Sequence, residues 1–411
     1  METTIEVTSS ECPQDFISHI EFLNADTTEE KGNLLVSSWD STVSLYNSST
    51  GRLTTRCSNF IQRPILSCCT CDPIGSNISN SNDTYRFITG NLDGQIFIGD
   101  FKQCDDTPVV LGKHEKAVAT LGYFAEQGLS FDNCVLSFKN CYTRFSVFGK
   151  LGQDHEGLGL EVLLDASVDK TPYRNNSLCF RNQKLVHTIP MNGKVFSLAI
   201  CNSNAKLVLC DSEKTVLLFF GVAICHTVLF LKVTIYDIRN LSKPESVRSS
   251  AQPVLKYQLR HVACFPDATG YAVASVEGRV AWEYFDATLG PNGSKKNYAF
   301  KCHREKEEDN RELIFPVNKL AFNYKYNSFA TGGGDATTSI WDGYNKKRLW
   351  KSSKLSTSEN VSGLCFDRHG LLLAIGLSNG RITPTIPRSP SRVIIRHMKP
   401  EDVSPRVMKK E

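Results

Sequence analysis

The chain has 411 residues, 41% of them hydrophobic and 22% charged, and its formal net charge is +4. This composition is typical of a folded chain and excludes the low hydropathy and high charge of a disordered one. The 47 basic and 43 acidic side chains are too nearly balanced for a non-specific polyanion binder, so any recognition of anions must be local.

The cysteines and the N-terminus indicate a reducing compartment. The chain has 15 cysteines, yet its start, METTIEVTSSECPQDF, lacks the basic region and apolar core of a secretory signal. We therefore expect most thiols to serve as small core residues. Neither CCTC (68–71) nor KCHRE (301–305) has the second half of a zinc-binding pattern, so the sequence predicts no metal site.

One pattern recurs along the chain: small residues, an acidic residue in a turn, then an alternating apolar strand. Four copies are clear, at 36–52, 88–102, 273–286 and 330–348. Their turn acids, predicted to cap backbone amides, are Asp40, Asp93, Glu277 and Asp335. Many short strands without long helical periodicity predict an all-β fold, and repeats of this length predict a β-propeller, because a single four-stranded blade cannot bury both faces.

The middle of the chain departs from this pattern at two atypical insertions, 138–162 and 216–232. The second, VLLFFGVAICHTVLFLK, is shorter than the roughly 20 residues that span a bilayer. Its removal restores CDSEKTVTIYDIRN, an unbroken strand and turn. We therefore favour an insertion, such as a retained intron, over a membrane anchor.

The ends of the chain are predicted to lie outside the repeats. Residues 1–11 form an N-terminal arm, 12–378 the propeller, and 379–411 a Pro-rich basic tail. Within the tail, RVIIRH (392–397) is apolar enough to add a closing strand, and the remainder is expected to be solvated.

No sequence motif indicates an enzyme. The chain has no G-x-S-x-G elbow, no Walker loop, no H-E-x-x-H and no dinucleotide fingerprint after a strand. The glycine-rich TGGGDA (331–336) leads into a strand, whereas a phosphate-cradling loop opens a helix. We predict no catalytic residue and no cofactor.

Three cations stand at strand ends and are candidates for an anion site. Arg279 opens a strand, Arg260 ends LKYQLR and Lys301 ends NYAFK. Strands side by side lie about 4.8 Å apart, so the three could converge on a phosphate or carboxylate. Solvated strand ends paired with Glu277 or Glu283 explain the same pattern equally well. Trp39, in the turn SSWDST, is expected to face the same surface.

Several segments resemble the Bub-type mitotic checkpoint propellers, the third of the budding-uninhibited-by-benzimidazole proteins. The most specific are EGRVAWEYFD and YAFKCHR, with PQDFISHIEF, IFPVNKLAFN and FATGGGDATTSIWDGYNKKRL in support. The resemblance covers about 12–135 and 190–378. It implies a seven-bladed WD40 propeller, here with irregular middle blades.

The resemblance also implies a function. Such propellers bind a short motif shared by a checkpoint kinase and its Mad-type relative, and they bind phosphorylated Met-Glu-Leu-Thr repeats of the kinetochore scaffold. Arg279, Arg260, Lys301 and Trp39 match the phosphopeptide-binding positions. The implied protein is a non-enzymatic adaptor of the spindle assembly checkpoint, nuclear and at kinetochores in mitosis, without direct contact with nucleic acid or membrane.

Two other functions stay open at this point. An mRNA-export propeller of the Rae and Gle type shares an EGRVA-like stretch and binds a similar motif on a nucleoporin. A generic WD40 scaffold has no phosphate site, so charge reversal at Arg279 would leave its partners bound. WEYFD and YAFKCHR favour the checkpoint protein over the export propeller.

Overall fold

Short antiparallel strands make up nearly all of the structure, a computed structural model. It describes residues 4–23, 32–58, 63–71, 86–104, 108–113, 117–124, 134–139, 145–149, 151–154, 157–160, 163–166, 184–189, 193–201, 206–216, 227–237, 246–249, 255–285, 297–379 and 390–405. The described strands form seven sheets around one axis, which are the blades, and two separate two-stranded hairpins. The blades are numbered along the chain.

The strands follow the chain, starting with β1 (Thr4–Glu6). Blade 1 contains β2 (Ile17–Phe22), β3 (Asn33–Ser38), β4 (Val43–Asn47) and β5 (Leu53–Cys57). Blade 2 contains β6 (Ile65–Cys71), β7 (Arg86–Asn91), β8 (Gln95–Asp100) and β9 (Val109–Lys113). The region of blade 3 contains β10 (Val118–Phe124), β11 (Cys134–Lys139), β12 (Phe145–Gly149), β13 (Leu151–Asp154), β14 (Gly157–Leu160), β15 (Leu163–Ala166) and β16 (Lys184–Ile189).

The second half continues in the same order. Blade 4 contains β17 (Gly193–Cys201), β18 (Lys206–Val216), β19 (Thr227–Asp237) and β20 (Ser246–Ser249). Blade 5 contains β21 (Leu259–Cys264), β22 (Gly270–Ser275), β23 (Arg279–Tyr284) and β24 (Tyr298–Lys301), and a hairpin of β25 (Arg304–Lys306) and β26 (Glu312–Ile314) follows it. Blade 6 contains β27 (Val317–Asn323), β28 (Ser328–Gly333), β29 (Thr338–Asp342) and β30 (Lys347–Lys351). Blade 7 contains β31 (Asn360–Phe366), β32 (Leu372–Ser378) and β33 (Arg392–His397), and α1 (Pro400–Val403) packs against blade 6.

The seven innermost strands form a closed ring. Each contacts the next in the order β2, β6, β10, β17, β21, β27 and β31, and β31 contacts β2 again. Side chains from adjacent blades fill the space between them, as where the fully buried Trp282 of blade 5 stacks on Phe265 and meets Phe329 of blade 6. The prediction of an all-β, seven-bladed propeller is confirmed.

Blade 7 is completed by both ends of the chain. Its order is β1, β33, β32 and β31, with Glu6 paired to Ile394. Arg392 Nε lies 2.6 Å from Glu6, and Arg392 Nη1 lies 3.0 Å from Glu359. The arm assigned to 1–11 thus supplies the outer strand, and the tail assigned to 379–411 supplies its neighbour. The propeller therefore begins before residue 12, and the closing strand expected at 392–397 is β33.

The middle blades are irregular, as predicted. Blade 3 has five strands in the order β10, β11, β15, β12, β16, in which β15 is parallel to β11. The insertion 138–162 contributes β12 and the separate β13–β14 hairpin. Residues 140–144, 150, 155–156 and 161–162 of this insertion lie outside the described residues.

The insertion 216–232 lengthens the central hairpin of blade 4 while the register of the blade is kept. In blades 1 and 5 five residues separate the last regular pairs of the two central strands, Ser37 with Val43 and Ala274 with Val280. In blade 4 Cys210 pairs with Val233. Without the 17 residues 216–232, five residues, 211–215, would separate this pair, as in blades 1 and 5. The strands β18 and β19 continue pairing to Val216 and Thr227, and 217–226 lie outside the described residues.

Two further findings concern membrane-spanning helices and the cysteines. Across the ranges described above, no helix is long and apolar enough to cross a membrane. Most cysteines that the structure describes are free and buried, as expected, but Cys57 and Cys104 form a disulfide between blades 1 and 2.

Candidate functional site

The turn that joins β22 to β23 presents Arg279 at one end of blade 5. Val276 N donates to Gln258 O at 3.0 Å, and Glu277 Oε1 accepts from Lys256 N at 2.8 Å. Gly278 has φ +61°, and a Cβ there would lie 2.8 Å from Cys302 O. A side chain at Gly278 would therefore be both strained and obstructed, so the turn needs its glycine.

Arg279 and Lys301 form a cation pair at this end of the blade. They are direct partners across β23 and β24. Side chains alternate along a strand, so both lie on the side of the sheet where Ala281 and Ala299 pack towards blade 4. The Arg279 side chain is 34% exposed, and its Nε lies 3.7 Å from Glu277 Oε2 without a hydrogen-bond partner among the described residues. The partly exposed guanidinium makes no hydrogen bond among the described residues, although its Nε is itself buried.

Arg260 and Trp39 lie at the mouth of the central channel. Every innermost strand has a bulge near its start, and the seven bulged residues line a cavity of about 470 Å³: Ser18, Leu66, Ala119, Phe196, Arg260, Asn318 and Ser362. Arg260 Nη2 donates to Asn318 Oδ1 at 2.8 Å. Trp39 joins the lining and packs on Phe16, with ring centroids 5.0 Å apart.

A second cation lies in the channel wall beside Arg260. Burial, together with the charge of Arg260, lowers the pKa of Lys319 to about 8. Burial also lowers the pKa of Arg260. No carboxylate pairs with Lys319 in the part of the chain that the structure describes, so the mouth of the channel is electropositive.

The four site residues predicted from the sequence thus lie on one face of the propeller but not at one point. Arg279 and Lys301 are adjacent. Arg260 is two strands away from Arg279, about 10 Å at the usual strand spacing, and reaches towards blade 6. Trp39 stands with Arg260 at the channel. The structure offers one cation pair at the edge of blade 5 and another at the channel mouth.

Two residues that follow Lys301 closely were missed as site or support residues. Arg304 hydrogen-bonds the turn before Arg279. His303 is fully buried, and its Nδ1 lies 2.8 Å from Asp335 Oδ1 while its Nε2 lies 2.8 Å from Thr331 Oγ1. Trp341 Nε1 donates to the same hydroxyl at 3.0 Å. Both ring nitrogens of His303 thus take part in this chain of hydrogen bonds.

The comparisons with known proteins concern the family and the fold of the chain. The chain matches no protein-family model. A mitotic checkpoint protein of Arabidopsis thaliana, BUB3.1, is 33% identical over 399 residues, which is 96% of this chain and 93% of that protein. The chain belongs to the Bub3 family of mitotic checkpoint proteins.

Three further comparisons bound this assignment. The mitotic checkpoint protein bub3 of Dictyostelium discoideum is 30% identical over 376 residues, 89% of this chain and 86% of that protein. A poly(A)+ RNA export protein of Schizosaccharomyces pombe is 32% identical, but only over 173 residues and 47% of its own length. The crystal structure of the RRP9 WD40 repeats shares the fold, with a TM-score of 0.60 at 13% identity over 96% of this chain and 97% of that chain.

Proposed function

We propose that this Bub3-family chain is a non-enzymatic adaptor of the spindle assembly checkpoint, acting in the nucleus and at kinetochores. Its propeller face with Arg279 binds phosphorylated Met-Glu-Leu-Thr repeats of the kinetochore scaffold. The same face recruits the checkpoint kinase and its Mad-type relative through their short motif. Contact with nucleic acid or membrane forms no part of the proposal.

The observation that carries the proposal is the Arg279–Lys301 pair. Arg279 directly follows a turn that is held by hydrogen bonds, and Lys301 is its partner on the next strand. A phosphate brings about −1.5 to −2 charges and three acceptor oxygens, and a guanidinium and an ammonium on neighbouring strands can share them. Charge-assisted hydrogen bonds of this kind are roughly twice as strong as neutral ones. Binding would then depend on a kinase, as a checkpoint requires.

Titration of the purified chain with phosphorylated and unphosphorylated Met-Glu-Leu-Thr peptides tests this. We expect the wild type to prefer the phosphorylated peptide and Arg279→Ala to lose that preference. Arg63→Ala is the matched control, because Arg63 is an exposed arginine at the start of blade 2 that pairs with Asp93 at 2.8 Å. Undiminished phosphopeptide affinity in Arg279→Ala would refute the site.

The alternative is an mRNA-export propeller, favoured by the similarity to the export protein over 173 residues. It predicts binding of a nucleoporin motif and no preference for the phosphorylated repeat. A folded wild type that binds neither peptide but binds the nucleoporin motif would decide for this alternative.

A further inference from the structure

Arg304 ties the Arg279 turn to the neighbouring hairpin. Its Nη2 donates to Glu277 O at 2.9 Å and its Nε to Gly278 O at 3.5 Å. Its Nη1 donates to Glu312 Oε2 at 2.7 Å. The side chain is only 13% exposed. One guanidinium thus holds both carbonyls that precede Arg279 and is itself held by a carboxylate.

The hairpin that carries Arg304 is fixed at its base. Arg304 pairs with Ile314 across β25 and β26, and Phe315 N donates to His303 O at 3.0 Å. The hydrogen bond from Arg304 lowers the pKa of Glu312 below its usual value, so this partner stays ionised at neutral pH. The turn is therefore braced from a rigid element rather than from a free loop.

Placement matters at this site because the contacts of Arg279 itself are loose. Its Nε lies 3.7 Å from the carboxylate of Glu277, beyond hydrogen-bond distance. A binding group must be held within roughly 0.5 Å of its productive position by the residues around it. The backbone of Glu277 and Gly278 decides where the Arg279 side chain leaves the sheet, and Arg304 is the side chain that bonds both of their carbonyls.

We propose that Arg304 is a positioning residue for phosphate recognition: it fixes the Glu277–Gly278 backbone, so that Arg279 points at the phosphate, and does not touch the ligand. This inference rests on the proposed function for its phosphate. The hairpin 304–314 thereby has a role in the site, and Glu312 holds Arg304 in place.

The test compares Arg304→Gln, Arg304→Lys and Glu312→Gln with Arg311→Gln as the matched control. Arg311 is an arginine of the same hairpin whose charged partners, Glu307 and Asp309, lie within the hairpin. Its loss removes the same charge without touching the turn. Affinities for both peptides and the melting temperature are measured for each variant.

We expect Arg304→Gln to weaken phosphopeptide binding about tenfold, the usual scale for a lost charged hydrogen bond, and Arg304→Lys to weaken it nearly as much. A lysine keeps the charge, but its compact ammonium lacks the planar guanidinium with which arginine bonds two carbonyls and a carboxylate at once. Glu312→Gln should give a smaller loss and Arg311→Gln almost none. In an Arg279→Ala background, Arg304→Gln should change phosphopeptide affinity no further.

Hydrogen exchange on a peptide covering 275–285 separates this inference from the proposed function. Arg304→Gln or Glu312→Gln should speed exchange in the turn at an unchanged melting temperature. Wild-type affinity in Arg304→Lys, or unchanged exchange in the turn, would overturn the positioning role. Absence of phosphopeptide binding in the wild type would instead overturn the proposed function, and the exchange measurement would still decide whether Arg304 braces the turn.

Discussion

Replacing Thr331 by valine should destabilise blade 6 far more than the same change at Thr338. Both threonines are fully buried. The Thr331 hydroxyl accepts from Trp341 Nε1 at 3.0 Å and lies 2.8 Å from His303 Nε2. The Thr338 hydroxyl has no hydrogen-bond partner in the described part of the chain. Valine keeps the shape of threonine, so the comparison isolates the hydroxyl.

The magnitude follows from the groups left unpaired. Leaving a buried donor or acceptor without its partner costs roughly 1–3 kcal/mol. Thr331→Val strands the buried His303 ring nitrogen fully and the half-buried Trp341 N–H in part, which gives about 3 kcal/mol. Thr338→Val removes an unsatisfied group and should be neutral or slightly stabilising.

Urea unfolding followed by tryptophan fluorescence and circular dichroism measures both variants. Each free energy of unfolding is taken relative to the wild type under one set of conditions. If the two variants differ by less than about 1 kcal/mol, the hydrogen-bond chain through His303 does not stabilise the blade as argued.

Two further predictions concern the fold. Excision of 216–232 should keep the propeller, since five residues would then join Cys210 to Val233 as in the regular blades; we expect an unchanged circular dichroism spectrum and a higher soluble yield, and loss of cooperative melting would contradict the register argument. Burial alone would raise the pKa of Asp335, but its hydrogen bonds from His303 and Thr337 lower it below the ordinary value. The stability that this carboxylate contributes is therefore fully present above the usual aspartate pKa of about 3.9 and is lost as the pH falls through the lower folded-state value. Asp335→Asn should flatten the acid dependence of the free energy of unfolding, and an unchanged slope would exclude this contribution.

Much of the fold could be predicted from the sequence because the blade turns repeat. The turns at Asp40, Glu277 and Asp335 keep the same length, so each marks the centre of a blade. The repeat did not reveal the two ends of blade 7: 392–397 was predicted as a closing strand from its apolar residues alone, and 4–6 was assigned to an arm. Thr4–Glu6 and Arg392–His397 are too short to show a period of their own, and they become strands by pairing with each other and with β32.

The sequence named the four candidate residues but did not predict how the structure groups them. Strand order placed Arg260, Arg279 and Lys301 in one blade, but the bulge in β21 directs Arg260 to Asn318 and the channel. Such a bulge leaves no mark in a single sequence. The roles of His303 and Arg304 depend on partners 32 and 27 positions away in the chain. A histidine that precedes a blade, followed by an acidic residue in the turn of that blade, is a sequence pattern by which His303 could have been found.

The pairing of the two chain ends in blade 7 affects how the protein is made. Glu6 leaves the ribosome first, and its partner Arg392 follows 386 positions later, which at ordinary translation rates is roughly 20 to 80 s. Ile17 waits almost as long for Ser378, whose hydroxyl meets its backbone amide. For this time the inner strand of blade 1 has a neighbouring blade on one side only, and surface that is buried in the finished ring stays exposed on the nascent chain. A message truncated before codon 392 would yield an open arc of blades for quality control to remove.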